Sequence, residues 1–83
     1  MASLFIVDVP EYEPMWKCAV GKGDGDLEVE KVGPYVELRF THAVTIDRVQ
    51  SGVRHAVWYS GVGALKDARV VQFDKHALRV EAS

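Results

Sequence analysis

Three histidines, His42, His55 and His76, are the side chains that titrate near neutral pH, and three imidazoles suffice to hold a catalytic zinc ion. No two of them stand at the short interval of a local metal motif, so the sequence defines no metal site. Cys18 is the single cysteine, which excludes an intramolecular disulfide and a thiolate zinc cluster. It alternates with Trp16 and Val20 and has no neighbouring base, so it reads as a buried, inert thiol. Ser51 and Ser60 lack the flanking glycines of a nucleophile elbow. The stretch 21–26, Gly-Lys-Gly-Asp-Gly-Asp, fits neither a phosphate loop, which needs Ser or Thr after Gly-Lys, nor a calcium loop closed by a bidentate Glu. Gly61 and Gly63 lack the third glycine of a dinucleotide turn. No cofactor is expected.

What remains is a possible groove. Tyr35, Glu37 and Arg39 alternate along the polar side of one expected strand, and His55 and Tyr59 share a side of another. Should the two sets meet across a curved sheet, Arg39 forks a carboxylate or phosphate, the tyrosines supply flat apolar area, and His55 with Glu37 forms a proton-transfer pair. These five are the candidate ligand-binding residues. No residue is assigned a catalytic role, and an enzyme would have to rest on His55, Glu37 and Arg39. In the competing reading Glu37 and Arg39 are ordinary solvated strand residues and His55 faces the core.

The elements that would position these side chains are strands. Fourteen of the 83 residues are valine, eight are aromatic, and Gly or Pro punctuates the apolar runs at short intervals. Apolar runs cover 3–9 and 15–20, with 11–14 as a surface loop and 21–26 as a glycine-rich turn. From Leu27 the pattern alternates: Leu27 and Val29 face one way, and Asp26, Glu28 and Glu30 form an acidic stripe on the other. Residues 35–41 alternate most clearly, with Val36, Leu38 and Phe40 inward. Segments 43–49, 53–60, 66–73 and 77–81 read as further strands, with turns at 50–52 and 74–76 and a glycine-rich connection at 61–65. The expectation is an all-β fold: one domain over 1–83, a small, mostly antiparallel barrel or roll of six to eight short strands. Its core is expected to comprise Val36, Leu38, Phe40, Val44, Ile46, Val57, Val71 and Phe73.

A formal charge of −2 gives no field that would gather phosphates, so nucleic acid is a disfavoured partner. Residues 1–34 carry seven acids against three lysines, and 35–83 carry seven basic residues against five acids, an asymmetry by which the two halves can pair within a chain or between chains. Segment 53–60 has large side chains on both faces, and a core of 83 residues is hard to close alone, so self-association as a dimer or higher oligomer is expected. Trp58 or Tyr59 is placed in that interface. The apolar run near the N-terminus has no basic flank and is broken by Asp8, so no membrane segment is read and the expected location is cytoplasmic. The function expected is a small oligomeric interaction, assembly or binding module, with a nucleic-acid or small-ligand binder and a small enzyme using the His55, Glu37 and Arg39 groove as alternatives.

Residues 62–80, V-G-A-L-K-D-A-R-V-V-Q-F-D-K-H-A-L-R-V, resemble the central strands of Sm-like RNA-binding proteins, where a short loop leads into a strand ending in Phe-Asp and a turn leads back into an apolar strand. This sequence has Asp67 or Ala68 in place of that family's strand glycine and shows no amino-terminal helix pattern. The resemblance implies a ring-shaped homo-oligomer that binds single-stranded RNA.

Overall fold

The computed structural model of the protein describes residues 2–22 and 27–83, so most of the glycine-rich stretch, together with Asp26 of the acidic stripe, lies outside the described residues. The chain runs β1 (Ala2–Val7), a 3-10 turn (Pro10–Tyr12), α1 (Glu13–Lys22), β2 (Glu28–Val32), β3 (Tyr35–Phe40), β4 (Ala43–Asp47), α2 (Arg48–Ser51), α3 (His55–Trp58), β5 (Val62–Lys66), β6 (Ala68–Phe73) and β7 (Ala77–Ala82). The seven strands pair antiparallel in two sheets, ordered β2-β3-β1-β5 and β4-β7-β6, so the all-β, roll-like architecture expected from the sequence is what the chain adopts. No helix among the described residues is long and apolar enough to cross a membrane.

Two corners make the roll. Only Thr41 and His42 separate β3 in one sheet from β4 in the other, and only Asp67 separates β5 from β6. Asp67 is the one described non-glycine residue with positive φ, at 52°, a conformation Asp tolerates better than most L residues. The end of β7 ties both corners together: Ala82 N donates to the His42 carbonyl at 2.9 Å and Ser83 N to the Asp67 carbonyl at 3.0 Å.

The inner faces follow the two-residue period. Leu4 and Ile6 of β1, Val36, Leu38 and Phe40 of β3, Val44 and Ile46 of β4, and Leu78 and Val80 of β7 are all buried. Of the expected core, Val57 and Phe73 are half-buried at its margin, whereas Val71 is exposed. The reason is a β-bulge: β6 pairs Val70 with Val80 and Gln72 with Arg79, which leaves Val71 as the extra residue.

Two expected strands are helical. Segment 15–20 belongs to α1, whose inward residues follow Tyr12 as Met15 and Ala19, a spacing of three and four. Pro14 fits the first turn, where no amide bond is lost, and the Glu13 carboxylate suits the helix N-terminus and pairs with Lys17. Consequently Tyr12 of the expected surface loop is buried, and Cys18 is half-buried and free. Segment 53–60 is likewise no strand. Asp47 ends β4 and caps α2, its side chain accepting from Gln50 N at 2.9 Å, and Gly52 at φ 80° stops that turn before α3 begins.

Conversely, residues 61–65 are not a loose connection: all but Gly61 belong to β5, paired to β1. The glycines there serve close packing. A Cβ on Gly61 would stand 2.7 Å from Met15 Sδ and 2.9 Å from Tyr12 Cδ1, and one on Gly63 would collide with the Tyr35 ring. Because Met15 and Tyr12 are both buried and cannot swing aside, Gly61→Ala is expected to cost about 1–3 kcal/mol by overpacking. A denaturation midpoint equal to that of the parent protein would contradict this packing.

Candidate functional site

The candidate residues fall into two clusters. The first lies on the outer face of the β2-β3-β1-β5 sheet. Pairing of β3 with its neighbours sets Arg39 beside Glu28 and Ser3, Glu37 beside Glu30 and Phe5, and Tyr35 beside Val32 and Val7. Arg39 Nη1 is 2.7 Å from Glu30 and 3.7 Å from Glu37, and its Nε is 3.3 Å from Glu28. The Ser3 hydroxyl donates to Glu37 at 2.6 Å. Hydrogen bonding to Glu30 raises the Arg39 pKa above its ordinary value, so the guanidinium stays charged at any working pH. Glu28 and Glu30 of the acidic stripe are therefore both held by the chain's own arginine, and the fork expected to grip a ligand is already occupied. Tyr35 stacks edge-on to Phe5 at 6.2 Å and covers Gly63, so it packs the sheet surface.

The second cluster lies where α2 and α3 meet the β6–β7 turn. His55 and Tyr59 are both exposed and contact edge-on at 6.0 Å; Tyr59 leans on Phe73 at 5.0 Å, and Phe73 meets Trp58 edge-on at 5.9 Å. His55 is thus neither a core histidine nor a strand residue. Trp58 is fully buried within this one chain, which leaves it no surface for the interface role expected of it. Of the expected interface pair, only Tyr59 is exposed. Trp58 Nε1 donates to the Asp74 carbonyl at 2.6 Å, Arg48 Nε to the Lys75 carbonyl at 2.6 Å, and Arg48 N to the His76 carbonyl at 2.9 Å. Three successive carbonyls of the turn are thereby satisfied. The Asp74 side chain completes it from inside, accepting from His76 N at 2.8 Å, Ala77 N at 3.0 Å and Gln72 Nε2 at 3.1 Å.

Among the described residues no hydrogen bond or ion pair joins the two clusters. Tyr35, Glu37 and Arg39 do share a face, and His55 and Tyr59 do touch, but His55 forms no pair with Glu37. Among the described residues no three metal-ligating side chains converge. Sequence reasoning missed Ser3 and Phe5, which the register of β1 with β3 brings to the first cluster, and it missed Arg48 and Phe73 in the second. Only Asp47 and Gly52, as helix start and stop signals, could have pointed to Arg48.

Comparison with known protein families, with curated proteins and with solved structures finds no match, so the resemblance of residues 62–80 to Sm-like proteins rests on those residues alone.

The Asp74 carboxyl titrates below its ordinary value because the backbone amides of Ala77 and His76, and then the Gln72 side chain, donate to its charged form. A depressed folded pKa stabilises the fold above the unfolded value, and that contribution disappears as pH falls through the folded one. Asp74→Ala should therefore lower Tm at neutral pH, and its gap from the parent should close on acidification below the ordinary Asp range. A gap of constant size across pH would show that the carboxylate charge is not what holds the turn. At the first cluster, Arg39→Ala leaves three glutamates facing one another. It should lower Tm most at low ionic strength, with the loss shrinking in about 0.5 M salt; a salt-independent loss would mean that Arg39 acts by packing alone.

Proposed function

We propose that the protein is a self-associating interaction module rather than an enzyme. The observation that supports this is the outer edge of β6: Val70 and Val71 are 41% and 44% exposed on an edge strand, with Tyr59 exposed on Phe73 at its end. An edge strand with unpaired backbone groups and bare apolar side chains is what natural proteins cover or charge unless a partner pairs with it. The enzyme alternative loses ground because His55 and Glu37 make no contact and Arg39 is saturated by carboxylates.

A second reading, a binder of a flat ligand or of single-stranded nucleic acid, draws on exposed His55 and Tyr59, backed by half-buried Phe73, as a stacking surface. The pI near 5.8 and the use of the Arg48 guanidinium on backbone carbonyls weaken it.

Light scattering coupled to gel filtration at micromolar concentration separates the readings. Self-association gives at least twice the 9.2 kDa chain mass, falling on dilution. A monomer at all concentrations, with tryptophan or tyrosine fluorescence that shifts on adding a single-stranded oligonucleotide at low salt, would overturn it in favour of the binder.

A further inference from the structure

Resting on the self-association reading, we propose that two copies pair through β6, antiparallel and about a two-fold axis, to join their three-stranded sheets into one continuous sheet ordered β4-β7-β6-β6-β7-β4. In the pairing proposed, Arg69 of each copy stands opposite Asp74 of the other and Val70 opposite Phe73.

The bulge selects the faces. Val70 and Phe73 pair within the chain with buried Val80 and Leu78, so both belong to the inner face, while Arg69 and Gln72 pair with Glu81 and Arg79 on the outer face. Gln72 bonds the Asp74 carboxylate, which places Asp74 on the outer side as well. Without the extra residue Val71, the two ends of β6 would not present matching faces to each other under this register. With it, outer meets outer at the Arg69–Asp74 pair and inner meets inner at the Val70–Phe73 pair, with Val71 opposite Gln72 at the centre.

Charge selects the register. Opposing Arg69 to Asp74 also sets Asp67 against His76 and Ala68 against Lys75, each pair occurring twice, and no like charges face each other. Sliding by two residues, to oppose Arg69 and Gln72, keeps the faces but brings Asp67 against Asp74, acid to acid. Sliding by one mismatches the faces. Arg69 is available for this role: it is highly exposed, and its own partner Glu81 is 3.6 Å away. Asp74 is held in place by the turn it organises.

The other edges suit pairing less. Self-pairing of β2 about its centre sets Glu30 against Glu30, α1 packs along β4, and β5 carries Gly63 beneath the Tyr35 ring. Among the described residues no backbone group bonds to the outer edge of β6.

Three variants test this by mass at several concentrations, with circular dichroism to confirm folding. Val71→Lys should give a folded monomer, because a lysine blocks an edge. Val29→Lys on β2 should leave the dimer intact. Arg69→Glu, which sets Glu against Asp74 twice, should weaken dimerisation about tenfold or more. A parent protein that is monomeric sinks the self-association reading itself. A dimeric parent whose Val71→Lys form stays dimeric leaves that reading standing but overturns the β6 interface. A monomeric Val71→Lys form alongside an undisturbed Arg69→Glu dimer overturns the register.

Discussion

One hydrogen bond at the margin of the core, from the Trp58 indole to the Asp74 carbonyl, governs how the rest of the surface is arranged. An indole N–H buried without a partner carries a desolvation cost of about 1–3 kcal/mol, so Trp58 can sit at full burial only where a carbonyl meets it. The β6–β7 turn supplies that carbonyl. The requirement fixes α3 against the turn, sets Phe73 edge-on to the indole, and brings Tyr59 onto Phe73. With the two Arg48 bonds beside it, the helical segment between β4 and β5 becomes a clamp on one hairpin. The fold thereby holds Asp74 rigidly at the end of an edge strand.

The second constraint is the shortness of the corners. With two residues between β3 and β4 and one between β5 and β6, the chain has no slack with which to set its sheets apart, and both must bend around a shared core. The bonds from Ala82 and Ser83 close the angle at both corners. This geometry leaves one strand, β6, entering its sheet straight from a corner with nothing of the described chain laid along its outer side. A small chain buries a modest fraction of its surface, and here the uncovered apolar remainder includes two neighbouring valines on that edge.

The parts of the fold legible in the sequence are those where a sheet has one wet and one dry face. Val36, Leu38 and Phe40 alternate with Tyr35, Glu37 and Arg39 because β3 is in that situation, and the same pattern located β4. Alternation misled where apolar residues crowd both faces. Segment 53–60 looks like a central strand because Val53, Val57, Trp58 and Tyr59 suit one, yet a single helical turn lets Trp58 go inward while His55 and Tyr59 stay out. Residues four apart share a side in a strand and in a helix alike, so the pairing of His55 with Tyr59 was legible although its cause was misread. Around α1 the signal was the spacing of Tyr12, Met15 and Ala19, which the two-residue alternation through Trp16 and Cys18 hid. Gly61 and Gly63 signalled a turn by type, but they are there because Met15, Tyr12 and Tyr35 press on the backbone, a contact that only tertiary structure reveals. The bulge at Val71, on which the proposed interface depends, leaves no local mark in the sequence.

The most direct measurement of the proposed interface is amide hydrogen exchange resolved by residue, recorded below and above the concentration at which the mass doubles. If β6 is the pairing strand, those of its amides that β7 does not engage exchange freely in the dilute sample and gain protection in the concentrated one, while β2 amides are unchanged. Protection that rises on β2 or β5, with β6 exchanging equally fast at both concentrations, would contradict the account.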